Sequence, residues 1–239
     1  MKSGSKVLIR KLRQKGFVTR FNYEDGIMKR SEKKGRPHRK VYIRAVTVPV
    51  LLSVFFLFGC GSDNNEETSN IAIDKDGKIS YVMVEDFSKD YYSLDELESM
   101  VRSELEIYND GWDEPHIILE TSELIAKDDD SKVKLSLSFE ASDDFTAFNE
   151  DYLYYGTIEE ALGSGYSLSP SLVDKDGNPL EDGFFDDNQG LHIIITNSKT
   201  GITCPYNISY MSKGITLNGK KEAVLSDTLN DEVQLILSK

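Results

Sequence analysis

From Ile71 onward the chain alternates apolar and polar positions in short runs, and one longer stretch among them keeps helical spacing. Ile71-Ala72-Ile73, the polar residues Asp74 to Gly77, and residues 78–86 read as strand, turn and strand, because a Gly-closed polar turn between apolar runs joins a hairpin. Leu94, Leu97, Met100, Val101, Leu105 and Tyr108 recur at intervals that put them on one helical face. Ser93 with Glu96 supplies an N-terminal capping box, and Gly111 stands where a C-terminal cap belongs. Strands are predicted over 116–127 and 132–140 about a turn at 128–131; in the second, Val133, Leu135, Leu137 and Phe139 alternate with polar residues, which predicts one buried face. Residues 145–155 are aromatic and fit neither period, and Thr157 with Glu160 caps a short helix that stops at Gly163. Short strands follow at 166–173, 191–197, 202–211, 215–217, 220–225 and 232–237, with Asn218-Gly219 as a two-residue hairpin turn. With no long linker between the halves, residues 71–239 predict a single α+β domain, an antiparallel sheet with one principal helix packed on a sheet face.

Charge divides what the hydropathy pattern leaves joined. Residues 1–44 carry 15 Lys and Arg against 3 Asp and Glu, a net of +12, whereas everything after Arg44 sums to -25. Between the two regimes lies an apolar run over 45–59, interrupted only by Thr47, Pro49 and Ser53; its 15 residues fall short of the ~20 that a membrane-spanning helix needs. A basic block, a short apolar run and then a small residue before Cys have the order of a secretory signal. The run ends Leu57-Phe58-Gly59-Cys60, which resembles the lipobox of bacterial lipoproteins, with Phe58 at a place usually held by a small residue. That resemblance implies a diacylglyceryl group on the Cys60 thiol and cleavage just before it, so residues 1–59 are expected to be leader and signal peptide, with Met28 opening a leader of more ordinary length. Two readings compete: an uncleaved signal anchor with an incidental cysteine, and a basic tail that touches nucleic acid or anionic lipid. Residues 60–70 then form the lipidated cysteine and a polar tether, which reaches about 35 Å when extended. Acyl chains contribute about 0.8 kcal/mol per buried methylene, so two of them anchor without a transmembrane helix. Cys204 is the only other cysteine and is left without a disulfide partner.

The peptides KDGKI at 75–79, VEDFSKDYYSLDELESMVRSELEIYN at 84–109, GTIEEAL at 156–162 and GITLNGKKEAV at 214–224 resemble an uncharacterised family of lipid-anchored lipoproteins from clostridial, Gram-positive bacteria. The resemblance spans most of the chain after Cys60. It implies a surface protein at the extracytoplasmic face of the cell membrane, and it assigns no catalytic or binding residues.

Candidate chemistry is sparse. Asp74-Lys75-Asp76-Gly77 and Asp174-Lys175-Asp176-Gly177 look like fragments of a calcium loop, but the preceding ligand position holds Ala72 or Leu172, and both peptides sit where turns are expected. Glu181, Asp182, Asp186, Asp187 and Asn188 form a denser acidic loop over 181–188 around Phe184-Phe185, a candidate weak calcium site or a solvated loop. His116 and His192 have no partner at a recurrent metal-ligand spacing. Cys204 with His192 is the one nucleophile–base pairing to consider. If 191–197 and 202–211 formed a hairpin, however, Cys204 would face Ile195 and His192 would lie three rungs off, about 10 Å along the strand. Cys204 therefore reads as a buried apolar residue. Tyr91-Tyr92, Trp112 and Tyr152 to Tyr155 are candidates for stacking on a sugar or gripping a peptide. No catalytic, cofactor-binding or metal residue is assigned, no cofactor is expected, and an acidic domain repels nucleic acid. The expectation is a membrane-anchored binding or interaction module for a protein, peptide or glycan; the alternatives are a carboxylate-dependent hydrolase and a structural envelope protein.

Overall fold

Every second residue from Val133 to Phe139 is buried and the residues between them are half-buried, so this strand lays one apolar face on a core. It belongs to a computed structural model that describes residues 68–89, 92–127 and 130–238. The leader, the apolar run and Cys60 lie outside the described residues, as does Tyr91. The described chain is a mixed α+β fold with eleven strands and four helices: β1 (Asn70–Ile73), β2 (Ile79–Asp86), α1 (Leu94–Asn109), β3 (Ile117–Lys127), β4 (Asp130–Phe139), α2 (Ser142–Phe148), β5 (Leu153–Thr157), α3 (Ile158–Gly163), α4 (Phe184–Asp187), β6 (His192–Thr196), β7 (Gly201–Thr203), β8 (Asn207–Met211), β9 (Thr216–Leu217), β10 (Glu222–Val224) and β11 (Val233–Ser238).

Two sheets divide the strands. The first has seven in the order β3-β4-β2-β1-β7-β10-β9, antiparallel except where β1 meets β7; the second is β5-β6-β11-β8, antiparallel throughout. The principal helix α1 packs its stripe of Leu97, Val101 and Leu105 on the apolar face of the first sheet, as its spacing predicts. Each of these side chains contributes roughly 1.5–3 kcal/mol by leaving water. Ser93 caps the helix by accepting from the Glu96 amide at 3.4 Å. At the other end the chain leaves through Asp110, and Gly111 takes a φ of +100° that a side chain would resist.

The second sheet buries both faces. One side, with Leu153, Ile194, Leu235 and Leu237, shares a core with the first sheet, α1 and α2. The other, with Ile193, Ile195 and Ile236, is covered by α3, Leu172 and partly buried residues between Tyr166 and Leu191. This double burial explains why Ile193 to Ile195 in β6 and Leu235 to Leu237 in β11 are consecutive apolar residues instead of alternating with polar ones. Buried Gln234 sits on the outer side of β11, where its Oε1 accepts from the Ser169 amide at 2.9 Å and its Nε2 donates to the Ser167 carbonyl at 2.9 Å. It thus supplies to the covering loop the bonds a strand neighbour would have supplied.

Three sequence expectations are corrected. Residues 166–173 form no strand: only Val173 bridges, to Pro179 and Met211, because the loop's polar groups are met by the Gln234 side chain. Residues 202–211 are not one strand but two, β7 in the first sheet and β8 in the second, divided at Pro205, whose missing N–H ends a ladder. The hairpin with 191–197 is consequently absent; β6 pairs with β5 and β11, and the Cys204 amide donates to the Lys221 carbonyl. Finally, the turn at Asn218-Gly219 is longer than two residues, since the Asn218 amide closes on the Glu222 carbonyl and leaves 219–221 in the loop. The aromatic 145–155 segment resolves into the end of α2 and the start of β5.

Replacing Gln234 with Leu keeps the volume and removes both loop bonds. The expected result is a loss of about 1–3 kcal/mol in urea unfolding, with faster hydrogen exchange at Ser169; unchanged exchange there would show that the loop is held by its apolar contacts alone.

Candidate functional site

Where α1 ends, the chain makes a short excursion through 110–115 and returns as β3. Both ends of the excursion are fixed by one residue: Asn109 Oδ1 accepts from the amides of His116 and Ile117 at 2.9 and 3.1 Å, and its Nδ2 donates to the Ile117 carbonyl at 2.7 Å. Because β3 is the edge of the first sheet and pairs only with β4, Asn109 also occupies backbone groups that an edge leaves bare.

Behind the excursion lies a buried carboxylate. Asp144, 6% exposed, sits in the first turn of α2, where its Oδ2 accepts from the Ala141 amide at 3.0 Å. Its Oδ1 accepts from the Tyr108 hydroxyl at 2.9 Å and lies 3.0 Å from His116 Nδ1. Partial burial, and then the bond to Asp144, push the Tyr108 phenol up to about 12, so Tyr108 acts as a donor at neutral pH. The Asp144 carboxyl thus lies among groups from three elements, Tyr108, His116 and the Ala141 amide. With Asp144 on Nδ1, the His116 ring is fixed in orientation, and Nδ1 is the nitrogen that carries the proton when Asp144 is ionised.

Trp112 lies on His116. The two rings stack with centroids 3.7 Å apart and planes 26° from parallel, yet the indole remains 53% exposed. The arrangement is a surface aromatic fixed from beneath: Asp144 holds His116, and His116 holds Trp112. Such a set can present a flat apolar surface, or offer an oriented imidazole as a proton acceptor. Sequence reading had named Trp112 as a stacking candidate and His116 as an unsupported ligand. Asp144, 28 residues from His116, and Tyr108, which bonds Asp144, are not marked by the sequence, because only the fold brings α2 to the end of α1.

The other candidates are placed as follows. Cys204 is buried, and burial pushes its thiol up to about 12. His192 stacks on Tyr155 at 5.2 Å and tilts against Tyr206 at 5.3 Å, an aromatic row between β5, β6 and the chain after Cys204. The Tyr155 hydroxyl is buried and has no hydrogen-bond partner among the described residues. Tyr152 donates to Glu232 at 2.6 Å, Tyr154 packs on Tyr166, and Tyr92 packs on Phe87, so these three rings have partners within the fold. The two Asp-Lys-Asp-Gly peptides form the same turn. Asp74 Oδ1 accepts from the amides of Asp76 and Lys78, Asp174 Oδ1 accepts from those of Asp176 and Asn178, and Gly77 and Gly177 have φ of +88° and +85°. In the 181–188 loop, α4 turns Phe184 inward onto Tyr210 at 4.9 Å. Among the described residues no three His, Cys, Asp or Glu side chains converge as a metal site.

Asp144→Ala leaves the Tyr108 hydroxyl and the Ala141 amide without their acceptor, at about 1–3 kcal/mol each. Denaturant unfolding is expected to register the loss, and a cost below about 1 kcal/mol would show that the carboxylate is incidental to the fold. Cys204 is expected to resist iodoacetamide at pH 8 in the native chain, since a thiol titrating near 12 is about one part in ten thousand thiolate there, and to label fully in urea; peptide mass spectrometry separates it from Cys60. Comparison with family models, with characterised proteins and with solved structures returned no match to this chain.

Proposed function

We propose that this chain is a lipid-anchored extracytoplasmic lipoprotein whose folded part is a noncatalytic binding module of the cell envelope. Its placement rests on the sequence: the short apolar run closing at Leu57-Phe58-Gly59-Cys60, the change of charge across it, and the peptides that resemble clostridial lipoproteins. No helix of the described residues is long and apolar enough to cross a membrane. The observation that carries the binding half is Trp112, an exposed indole held in one orientation by the His116 ring beneath it. Leaving so large an apolar surface in water forgoes burial that the fold could have used, and fixing its orientation lowers the entropic cost of binding.

One geometry favours a second reading. A carboxylate that bonds to one imidazole nitrogen is how hydrolases orient a general base, so Asp144 and His116 would be the centre of a carboxylate-dependent hydrolase. Substrate turnover abolished by Asp144→Asn, with the folded near-ultraviolet spectrum retained, would replace the first reading with this one.

Anchoring is tested in cells fed an alkynyl fatty acid. The wild-type chain is expected to take up label and to fractionate with membranes. Cys60→Ser is expected to take up none and, lacking the cysteine at which the leader is cut, to keep residues 1–59. Label persisting on Cys60→Ser, or wild-type chain found unlabelled with its leader intact, would overturn the anchoring.

A further inference from the structure

Trp112 has two faces and the fold uses one. His116 covers the inner face at 3.7 Å, while the residue as a whole stays 53% exposed. Its immediate neighbours Asp110, Asp113 and Glu114 are exposed, and they leave α1 with the chain through the positive-φ turn at Gly111. From Ser103 to Ala126 the sequence holds seven Asp and Glu and no Lys or Arg. The acids by themselves would be a solvated surface; it is the fixed indole among them that asks for a ligand. An aromatic face is negative at its centre and attracts cations, and flanking carboxylates add to that field while repelling anions.

Building on the binding-module reading, we propose that the outer face of Trp112 binds a cationic group, the ammonium or guanidinium of a basic peptide, with Asp110, Asp113 and Glu114 supplying the counter-charge. The support from below favours affinity, and the charge around the ring favours a cation. A mobile surface Trp would lose its rotamer freedom on binding, whereas this ring has already been ordered by His116, which Asp144 holds in turn. A sugar would stack on the same face without needing the carboxylates, so the charge of the surroundings decides for the cation. The contact needs no groove: one ammonium over one ring, with exposed acids beside it in the chain, suffices for a single basic side chain.

Trp112 is the only tryptophan of the chain, so its fluorescence reports on this surface alone. The full chain is titrated with trilysine amide at low salt, beside fully acetylated trilysine amide and chitotriose, with calorimetry for the variants that lack the indole. Trilysine is expected to change the emission saturably, and binding is expected to weaken as salt rises. Trp112→Ala should weaken it at least about fivefold and Trp112→Phe less, as the ring quadrupole falls. The double variant Asp113→Asn with Glu114→Gln should weaken it about two- to tenfold while leaving the circular dichroism unchanged. Equal affinity in Trp112→Ala would mean general attraction to an acidic chain and would overturn the site. So would acetylated trilysine binding as well as trilysine, or saturation by chitotriose instead. The last outcome would leave a binding module with a different ligand, whereas turnover lost in Asp144→Asn would remove the binding reading itself.

Discussion

The second sheet has no solvent face, and most of the architecture follows from that constraint. Four strands with Ile193, Ile194 and Ile195 in succession on β6, and five consecutive buried residues on β11, must be covered on both sides. The seven-stranded sheet, α1 and α2 provide one cover, and α3 with the irregular chain up to Leu191 provides the other. A loop can serve as a cover only if its backbone polar groups are met. Gln234 and Val173 meet several of them, the first through its side chain and the second through paired bonds with Met211. The buried amide of Gln234 is therefore a consequence of covering the sheet with coil where a sheet or helix would have satisfied itself.

The same logic of substituted partners operates at the other end of the molecule. Asn109 bonds both backbone groups of Ile117, as a neighbouring strand would, and so closes the first rung of an edge. Farther along β3 the ladder shifts at Glu120, a bulge that disturbs the regular edge a second chain would need for pairing. Asp144 then ties the helix end, the strand start and α2 into one unit by accepting from Tyr108 and Ala141 and orienting His116. Two short side-chain networks thus join the same three elements that already share apolar core through Leu105, Ile117 and Phe148.

Periodicity carried the fold well where one face is wet. The α1 stripe, the alternating β4 and the Thr157–Glu160 capping box are local signals, and each appears where the pattern puts it. It carried less where partners are distant in the chain. Residues 202–211 contain enough apolar and β-branched residues for a single strand, and only Pro205 hints that the chain leaves one sheet for another. The strand expected at 166–173 had the right residues for a strand but faces a glutamine from 65 residues away. The candidate site shows the same division. Trp112 and His116 are four residues apart and could be singled out as an aromatic and a lone imidazole. Asp144 is one acid among the 38 that follow Arg44, and nothing in its neighbours marks it as the carboxylate buried among the described residues.

Burial is what distinguishes Asp144 from the rest of that charge. An exposed carboxylate exerts a field weakened by water and salt, and shifting it changes little. Asp144 stands behind protein on every side, so its charge is spent on three directed bonds, and those bonds set the plane of the imidazole. The exposed acids beside Trp112 face solvent, while the buried one acts within the fold, and on Trp112 through His116. Carboxylates thus stand in two different environments, buried at Asp144 and exposed at Asp110, Asp113 and Glu114. The buried one fixes the orientation of the imidazole under Trp112, and in the proposed site the exposed ones would set the sign of the field over its outer face.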